Sequence, residues 1–252
     1  MFANMIKPHI LEVKTHHLNG GPMAAGTPGV SASSDSEPSS LRRAPSQRRS
    51  RERVERILAA ARELIAAQGS DAMRMGEVAE RAGVSIGSLY QYFPDKAAVI
   101  RTLAERYNAQ GRDCIAAELA SVCDAAGLRV AFGRLIDTYY AMFLAEPVMR
   151  DIWSGTQADK GLRDLELEDS RANGALLADT LGRVRPGADR AELEASAFLI
   201  MYLGEATMRL AVSVGRREGD ALVASYQRMV LRELTPQRAK ARRRKPGRRS
   251  RS

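Results

Sequence analysis

Residues 77–96 read EVAERAGVSIGSLYQYFPDK, and this stretch decides the fold of the chain around it. It contains two short helical segments joined by a turn at Gly83, a residue that readily adopts the positive φ of a tight interhelical turn. The hydroxyl of Ser85 suits the N-cap of the second helix, and Pro94 prevents that helix from continuing. The pattern predicts a helix-turn-helix, which places its second helix in the major groove of DNA.

An amphipathic helix precedes this unit. Its apolar residues recur at a period of 3.6, which predicts a buried stripe on a helix over 51–68. Gly69 follows and suits a left-handed C-terminal cap. Helix 2 is predicted over 75–81, helix 3 over 86–93 and helix 4 from residue 95, capped by its aspartate, to about 109. A further helix over 114–123 either follows helix 4 separately or continues it. The first three helices would form a three-helix head.

The outer face of helix 3 is small, polar and aromatic, without glutamate or lysine. Serine and glutamine can bond base edges, whereas tyrosine hydroxyls can bond phosphates. We therefore expect this face to contact DNA. The alternative is a helical hairpin whose tyrosines and phenylalanine are ordinary core. The residues of this face are Gly87, Ser88, Tyr90, Gln91 and Tyr92.

The runs ILAAARELIAAQG and VAERAGVSIGSLYQYFPDKAAVI, within residues 51–100, resemble the TetR family of bacterial transcriptional regulators. The resemblance implies a dimeric, all-α regulator with a three-helix DNA-binding head and a helical C-terminal domain that binds a small ligand and dimerises. It places the helix-turn-helix at 74–93 and a phosphate contact at Lys96. The predicted DNA-binding residues are Arg74, Met75, Ser85, Ile86, Gly87, Ser88, Tyr90, Gln91, Tyr92 and Lys96.

Arg74 and Met75 depart from the family pattern, which often has serine or threonine at these positions to cap helix 2 and touch a phosphate. The Arg74 guanidinium can supply a charge-assisted phosphate contact. It cannot supply the cap, whose loss typically costs about 1 kcal/mol. Ser70 or Asp71 is the alternative cap, for a helix that starts earlier.

The net charge of +9 resides in a tail, because residues 236–252 hold nine Lys or Arg and no acid. We expect this tail and residues 1–48, which are rich in Gly, Pro and Ser and end in a basic stretch, to be disordered. Either segment can contact DNA or remain a solvated extension. The DNA-binding domain is predicted over 49–109 and the helical ligand-binding and dimerisation domain over 110–235.

The part of the sequence that is predicted to fold contains few residues or motifs typical of an enzyme active site. All three histidines precede residue 18, and no P-loop, GxSxG, HExxH or CxxC motif is present. We therefore expect no catalytic residue, no metal and no cofactor. No apolar run was found to approach 18 residues and no secretory signal is visible, which predicts a cytoplasmic, nucleoid-associated protein without a membrane contact.

The last two predicted helices, over 191–214 and 220–234, carry apolar residues nearly all round the first and a stripe on the second. Small residues at 195–197 and 204–206 would allow close helix approach. We expect two copies to form a four-helix interface, and hence a homodimer. An intramolecular core is the alternative.

Aromatic and methionine side chains before residue 154, with one tyrosine further on, predict an apolar cavity for an unidentified small-molecule effector. For each of them a place in the core is the alternative. The predicted lining is Phe132, Tyr139, Met142, Phe143, Met149, Trp153 and Tyr202.

These patterns together predict a sequence-specific regulator that binds double-stranded DNA at a palindromic operator. The expected activity is that of a repressor, released when a small apolar ligand shifts helix 4 and moves the recognition helices out of register. A constitutive or architectural DNA-binding protein without an effector, or a transcriptional activator, remains the alternative.

Overall fold

The computed structural model describes residues 40–155 and 158–235, with side chains from Gln47 onward. The predicted disordered extension up to residue 39 and the basic tail from 236 lie outside these residues. The compact unit discussed below begins at Arg43. Within the described ranges the chain is all-α and has no strand. The helices are α1 (Ser40–Gln68), α2 (Met75–Ala82), α3 (Ile86–Tyr92), α4 (Lys96–Ala120), α5 (Ala125–Ala145), α6 (Pro147–Gly155), α7 (Lys160–Val184), α8 (Arg190–Ser213) and α9 (Arg216–Leu234).

The head consists of α1, α2 and α3. The α1 helix begins at Ser40, earlier than the predicted Arg51. The prediction missed these first turns because they are basic and lack the apolar period of the rest of the helix. It ends at Gln68 as predicted, and Gly69 has a φ of 82°. Its apolar stripe packs on α2 and α3, and the buried residues of the head include Ile57, Leu58, Leu64, Ile65, Val78, Leu89 and Phe93.

The turn between α2 and α3 has the geometry that the sequence predicts. Gly83 is left-handed at φ 63°, and its N–H donates back to the carbonyls of Ala79 and Glu80. The Ser85 hydroxyl accepts a hydrogen bond from the Ser88 N–H at 3.1 Å, which fixes the start of α3. At the start of α2, Arg74 occupies the N-cap and its side chain makes no capping bond. The alternative of an earlier start with its own cap was therefore wrong.

The α4 helix is longer than predicted. The Asp95 carboxylate caps it by accepting from the Ala98 N–H at 2.7 Å, but the helix runs without a break to Ala120. Residue 109, the predicted end, lies in its middle. The head and the C-terminal bundle therefore share one continuous helix.

The C-terminal bundle comprises the second half of α4 and helices α5 to α9. The α7 and α8 helices are in close contact at Gly174, where a Cβ atom would come within 2.8 Å of the Phe198 Cα. Small residues of α8 also pack inside the chain, since Ala197 is fully buried and Gly204 faces the hydroxyl of Tyr226. Ala197 and Gly204, which were predicted to form a dimer contact, therefore serve the intramolecular core, whereas Ala195 is exposed.

A second apolar face of α8 remains uncovered. Leu199, Leu203 and Leu210 are 55%, 43% and 50% exposed, and Met229 on α9 is 65% exposed. By length and composition alone, α8 is also apolar enough to cross a membrane, contrary to the expectation that no run approaches 18 residues. A helix that packs on a protein core with one face and exposes leucines on the other can have the same length and composition. These two properties therefore do not decide the environment of α8.

Candidate DNA interface and ligand cavity

The predicted recognition surface is the outer face of α3. Ile86 and Tyr90 are 45% and 48% exposed, and Ser85, Gly87 and Gln91 are exposed beside them. No atom lies within 4 Å of the position a Cβ would take on Gly87. The centre of the face is therefore flat and open, which allows a duplex to approach the helix backbone.

Two members of this face are tied to α1. The Ser50 hydroxyl donates to the Tyr92 hydroxyl at 3.2 Å, and this bond lowers the pKa of Tyr92. The Arg53 guanidinium donates to the Ser88 hydroxyl oxygen at 3.5 Å. Ser88 and Tyr92 are thus half-buried and held in orientation, whereas Tyr90 between them projects freely.

Lys96 and the two residues before α2 occupy the rim. The Lys96 ammonium donates to the carbonyls of Ser70 and Asp71 at 3.1 and 2.9 Å, which uses two of its three donors. Arg74 is exposed, and Met75 is half-buried against the core. The structure therefore gives Lys96 a role in holding the α1–α2 loop, beside the phosphate contact that the family resemblance implies.

A cavity of about 90 Å³ lies within the C-terminal bundle, bounded by α4 to α9. Of the predicted lining residues, Phe132, Tyr139, Met142, Met149 and Trp153 come together around it. The other two do not belong to its lining. Phe143 is fully buried behind Tyr139, with the rings edge-on at 5.1 Å. Tyr202 lies beside the Phe198 ring, at 6.5 Å between ring centroids.

One end of the cavity is polar, and the sequence did not predict it. Asp169, Asn173 and Glu205 line it, each less than a tenth exposed. In the sequence, the acids of 164–169 resemble the acidic start of a helix. The signal that distinguishes two of them is their spacing, since 166 and 169 fall on one helix face together with Asn173.

The buried acids differ in their partners. The Arg209 guanidinium donates to Glu166, and that of Arg112 donates to Asp169. Asp169 also accepts from the Asn173 amide nitrogen at 2.8 Å. Burial raises the pKa of Asp169.

Glu205 has no cation of its own. Among the described residues no hydrogen bond reaches its buried Oε2, and the same holds for the Asn173 Oδ1. Burial, the nearby charges of Glu166 and Asp169, and a hydrogen bond with the Glu166 side chain raise the pKa of Glu205 well above its usual range, against the attraction of Arg209. Burial likewise raises the pKa of Tyr139, which lies near these acids, well above its usual range. Three carboxyl groups therefore face two guanidinium groups at this end of the cavity.

The opposite end of the cavity contacts the head. The Trp153 ring packs edge-on against Tyr107 at 6.1 Å, and the Arg62 guanidinium of α1 lies 5.9 Å from the Tyr107 ring centroid. Burial raises the pKa of Tyr107 to about 12, so the ring carries a neutral hydroxyl. Arg62 also pairs with Glu146 at 2.9 Å. A side chain that lines the cavity thus touches a charged group of the head directly.

A second contact joins α6 to the head. The Asp151 carboxylate accepts a hydrogen bond from the Ser70 N–H at 3.0 Å, two residues before Trp153. The backbone carbonyl of Ser70 is also one of the two that accept a hydrogen bond from Lys96. Displacement of α6 would therefore reach the loop that precedes the helix-turn-helix.

Two family models match the chain and together cover more than half of it. Residues 57–103 match the bacterial regulatory proteins of the tetR family, and residues 126–238 match the tetracyclin repressor-like C-terminal domain. The first match contains α2, α3 and the start of α4, and the second contains most of the cavity.

Curated relatives and solved structures agree with this assignment. The chain is 42% identical over 67 residues to the HTH-type transcriptional repressor KstR of Rhodococcus jostii, a match that covers 25% of this chain and 32% of that protein. The match to KstR of Mycolicibacterium smegmatis is 50% over 46 residues, or 18% of this chain and 22% of that protein. The matches thus span about a third or less of the curated relatives.

The structural similarity extends over nearly the whole of the neighbours. A TetR-family transcriptional regulator from Streptomyces coelicolor is 28% identical, with a TM-score of 0.55 over 73% of this chain and 96% of that one. The regulator FadR from Bacillus subtilis, solved in complex with stearoyl-CoA, is 20% identical, with a TM-score of 0.53 over 72% and 97%. The second likeness concerns the fold alone.

Proposed function

This chain belongs to the TetR family of bacterial regulatory proteins, and on that premise we propose that it is a transcriptional repressor released from its operator by a small ligand. The observation that carries the proposal is the open face of α3, where Tyr90 projects between two anchored side chains. Families of this kind are DNA-binding regulators rather than enzymes, and we propose no catalytic role. We place its action in the cytoplasm, at the nucleoid.

The operator is proposed to be a palindrome read by two copies of the chain. Four large apolar residues of α8 and α9 are exposed, and water-exposed apolar patches of this kind mark protein interfaces. A twofold pair places two recognition helices on half-sites about 34 Å apart. The dimer in this proposal forms through Leu199, Leu203 and Leu210 of α8 together with Met229 of α9.

Repression is the proposed direction because two curated relatives carry the name of repressor. The cavity favours a ligand-responsive repressor over a constitutive DNA-binding protein, since a mostly apolar cavity with a few buried polar groups is typical of a small-molecule site. Activation is the second candidate, and the position of the operator relative to the promoter separates the two.

Release is proposed to begin at the cavity. A ligand that displaces Trp153 disturbs its ring contact with Tyr107, and through it the Arg62 group of α1. It also displaces Asp151 from the Ser70 N–H. Both contacts end in the head, so a ligand that prefers the displaced state lowers operator affinity by its differential affinity for the two states.

A selection of bound duplexes from a random oligonucleotide pool tests the proposal. We expect one palindromic sequence to be enriched, and Gln91→Ala to weaken binding to it about tenfold or more, the loss typical of a base contact. Gln110→Ala, an equally exposed glutamine on α4, is the matched control and should bind as the wild type does. A pool without enrichment, or equal losses in both variants, contradicts the assignment.

A further inference from the structure

The end of the cavity formed by α7 and α8 has an unbalanced set of hydrogen-bonding groups. Arg209 is engaged with Glu166 and Arg112 with Asp169, so both guanidinium groups near this end are committed. The Asn173 amide nitrogen is committed to Asp169 as well. Of the residues that line this end, two oxygen atoms have no partner among the described residues, the Glu205 Oε2 and the Asn173 Oδ1. Behind the lining, the Arg112 Nε and the Ser170 Oγ are unpartnered as well.

Both oxygens belong to side chains that are 94% buried and that line the cavity, since Glu205 and Asn173 are each 6% exposed. A buried acceptor without a donor costs free energy, and an unpaired buried carboxylate costs more. A group that donates hydrogen bonds and carries positive charge removes both costs at once. No cluster among residues 40–155 and 158–235 is arranged to hold a metal ion, so the complementary group is an organic one.

The rest of the cavity wall restricts what such a group is attached to. Phe132, Leu135, Ile136, Trp153 and four methionines make most of the wall apolar, although Asn108, Thr138 and three tyrosines also belong to it. The space of about 90 Å³ is smaller than the ~150 Å³ that accommodates benzene in an engineered protein cavity. Methionine side chains adapt to ligands of different shape, so a larger apolar body enters by moving them. The methionines of the wall are Met142, Met149, Met201 and Met208.

We propose that the effector is a lipophilic amine, whose protonated nitrogen binds Glu205 and Asn173 while its apolar body lies among the methionines and Trp153. This inference deepens the proposed function and rests on it, because it names the chemical class of the ligand that the repressor responds to. The raised pKa of Glu205 agrees with the geometry, since burial and the adjacent carboxyl groups of Glu166 and Asp169 disfavour its charged form, which an ammonium group would stabilise. A carboxylate or phosphate ligand would place like charge beside Glu166, Asp169 and Glu205.

Trp153 gives a direct measurement of binding, because it is the only tryptophan of the chain and lies in the cavity wall. Its emission is followed while the full-length protein is titrated with n-octylamine, 1-octanol and octanoate, which share one apolar body and differ in the head group. We expect the amine to bind at least tenfold more tightly than the alcohol, and octanoate to bind most weakly. Equal binding by the alcohol or by octanoate overturns the proposal, as does the absence of any response to the amine.

Glu205→Gln keeps the size of the side chain and removes its charge. We expect this variant to lose the preference for the amine over the alcohol. Glu192→Gln removes the same charge from the exposed first turn of α8 and should keep the preference. Retention of the preference in Glu205→Gln overturns the proposal. Should circular dichroism show that this variant does not fold, the order of the three ligands on the wild-type protein decides.

The titrations contain no DNA, so their outcome is separate from that of the oligonucleotide selection. Enrichment of an operator without amine preference leaves a repressor with a different ligand. Amine preference without operator enrichment leaves an amine-binding protein and removes the regulatory role. Addition of n-octylamine to the operator complex joins the two, and we expect it to lower operator affinity in the wild type and not in Glu205→Gln.

Discussion

The recognition face of α3 and the polar end of the cavity both present polar groups without partners, but at opposite levels of exposure. Tyr90 is 48% exposed, so water can satisfy its hydroxyl. Glu205 is 6% exposed, and its Oε2 has no hydrogen-bond partner among the described residues. An unpaired group costs little at the surface and much in the interior.

This difference shows how each site is recognised. A surface site is visible in the sequence, because its residue types are unusual for a solvated helix and follow a local order. An interior site depends on which distant helices meet, since Glu205 of α8 faces Glu166 and Asp169 of α7 only after folding. In the proposed function, the first site acts as one of two copies and the second site binds a ligand.

The largest effect is expected from separating the two recognition faces. Leu203→Asp places a charge in the exposed apolar face of α8, and we expect a monomer in analytical ultracentrifugation. Operator affinity should fall roughly 100-fold or more, because joining two binding heads raises avidity by about 10²–10⁴. Val130→Asp, at an exposed residue of α5, is the control and should remain dimeric. A dimeric Leu203→Asp protein would place the interface elsewhere.

The next effect concerns the recognition face itself. Tyr90→Ala should lower operator affinity by about 10- to 100-fold, the range of one good groove contact, without a change in melting temperature. Tyr90→Phe separates the hydroxyl from the ring, and we expect an intermediate loss in the same gel-shift titration. If Tyr90→Ala binds the operator as the wild type does, the assignment of the exposed face of α3 to DNA is wrong.

A third prediction tests the packing that carries the cavity. Gly174→Ala forces a Cβ against the backbone of Phe198, and we expect a loss of about 1–3 kcal/mol in the free energy of unfolding. Gly182→Ala on the same helix has nothing within 4 Å and should stabilise the protein by about 0.5–1 kcal/mol. Urea titrations of both variants measure the contrast, which disappears if α7 and α8 are not in close contact.

The smallest effect concerns the acid without a counter-ion. Folding raises the pKa of Glu205, so between the unfolded and folded values the native state holds more protons, and stability falls as pH rises. Glu205→Gln removes this loss, and we expect a higher melting temperature than the wild type at pH 8 and a smaller difference at pH 5. Glu192→Gln should show no such pH dependence. A difference in melting temperature between Glu205→Gln and the wild type that increases at low pH would contradict the burial of an unpaired carboxyl group.

The head followed closely from the sequence because its signals are local. Ser85, Gly83 and Asp95 specify a cap, a turn and a second cap within a few residues of where they act, and all three are confirmed. The continuity of α4 was less accessible, since nothing local distinguishes a break near residue 109 from its absence. The start of α1 has the same explanation, because a basic segment can be helical without an apolar period.

The bundle shows where local reasoning ends. The apolar period located α8 and α9 within a few residues, but which face of α8 is buried depends on its neighbours. The predicted lining included Phe143 and Tyr202, whose aromatic side chains suit an apolar cavity but do not belong to its wall. Asp169 and Glu205 were absent from it, because a buried acid has no sequence signal separate from that of a solvated one.

The unbroken α4 helix has a consequence for protein engineering. Because each residue turns an α-helix by about 100°, an insertion of one residue between Lys96 and Tyr107 would rotate the DNA-reading half against the sensing half. Chimaeras that exchange either half must therefore keep the helical phase of α4 at the junction. A flexible linker at residue 109 would uncouple the cavity from the head.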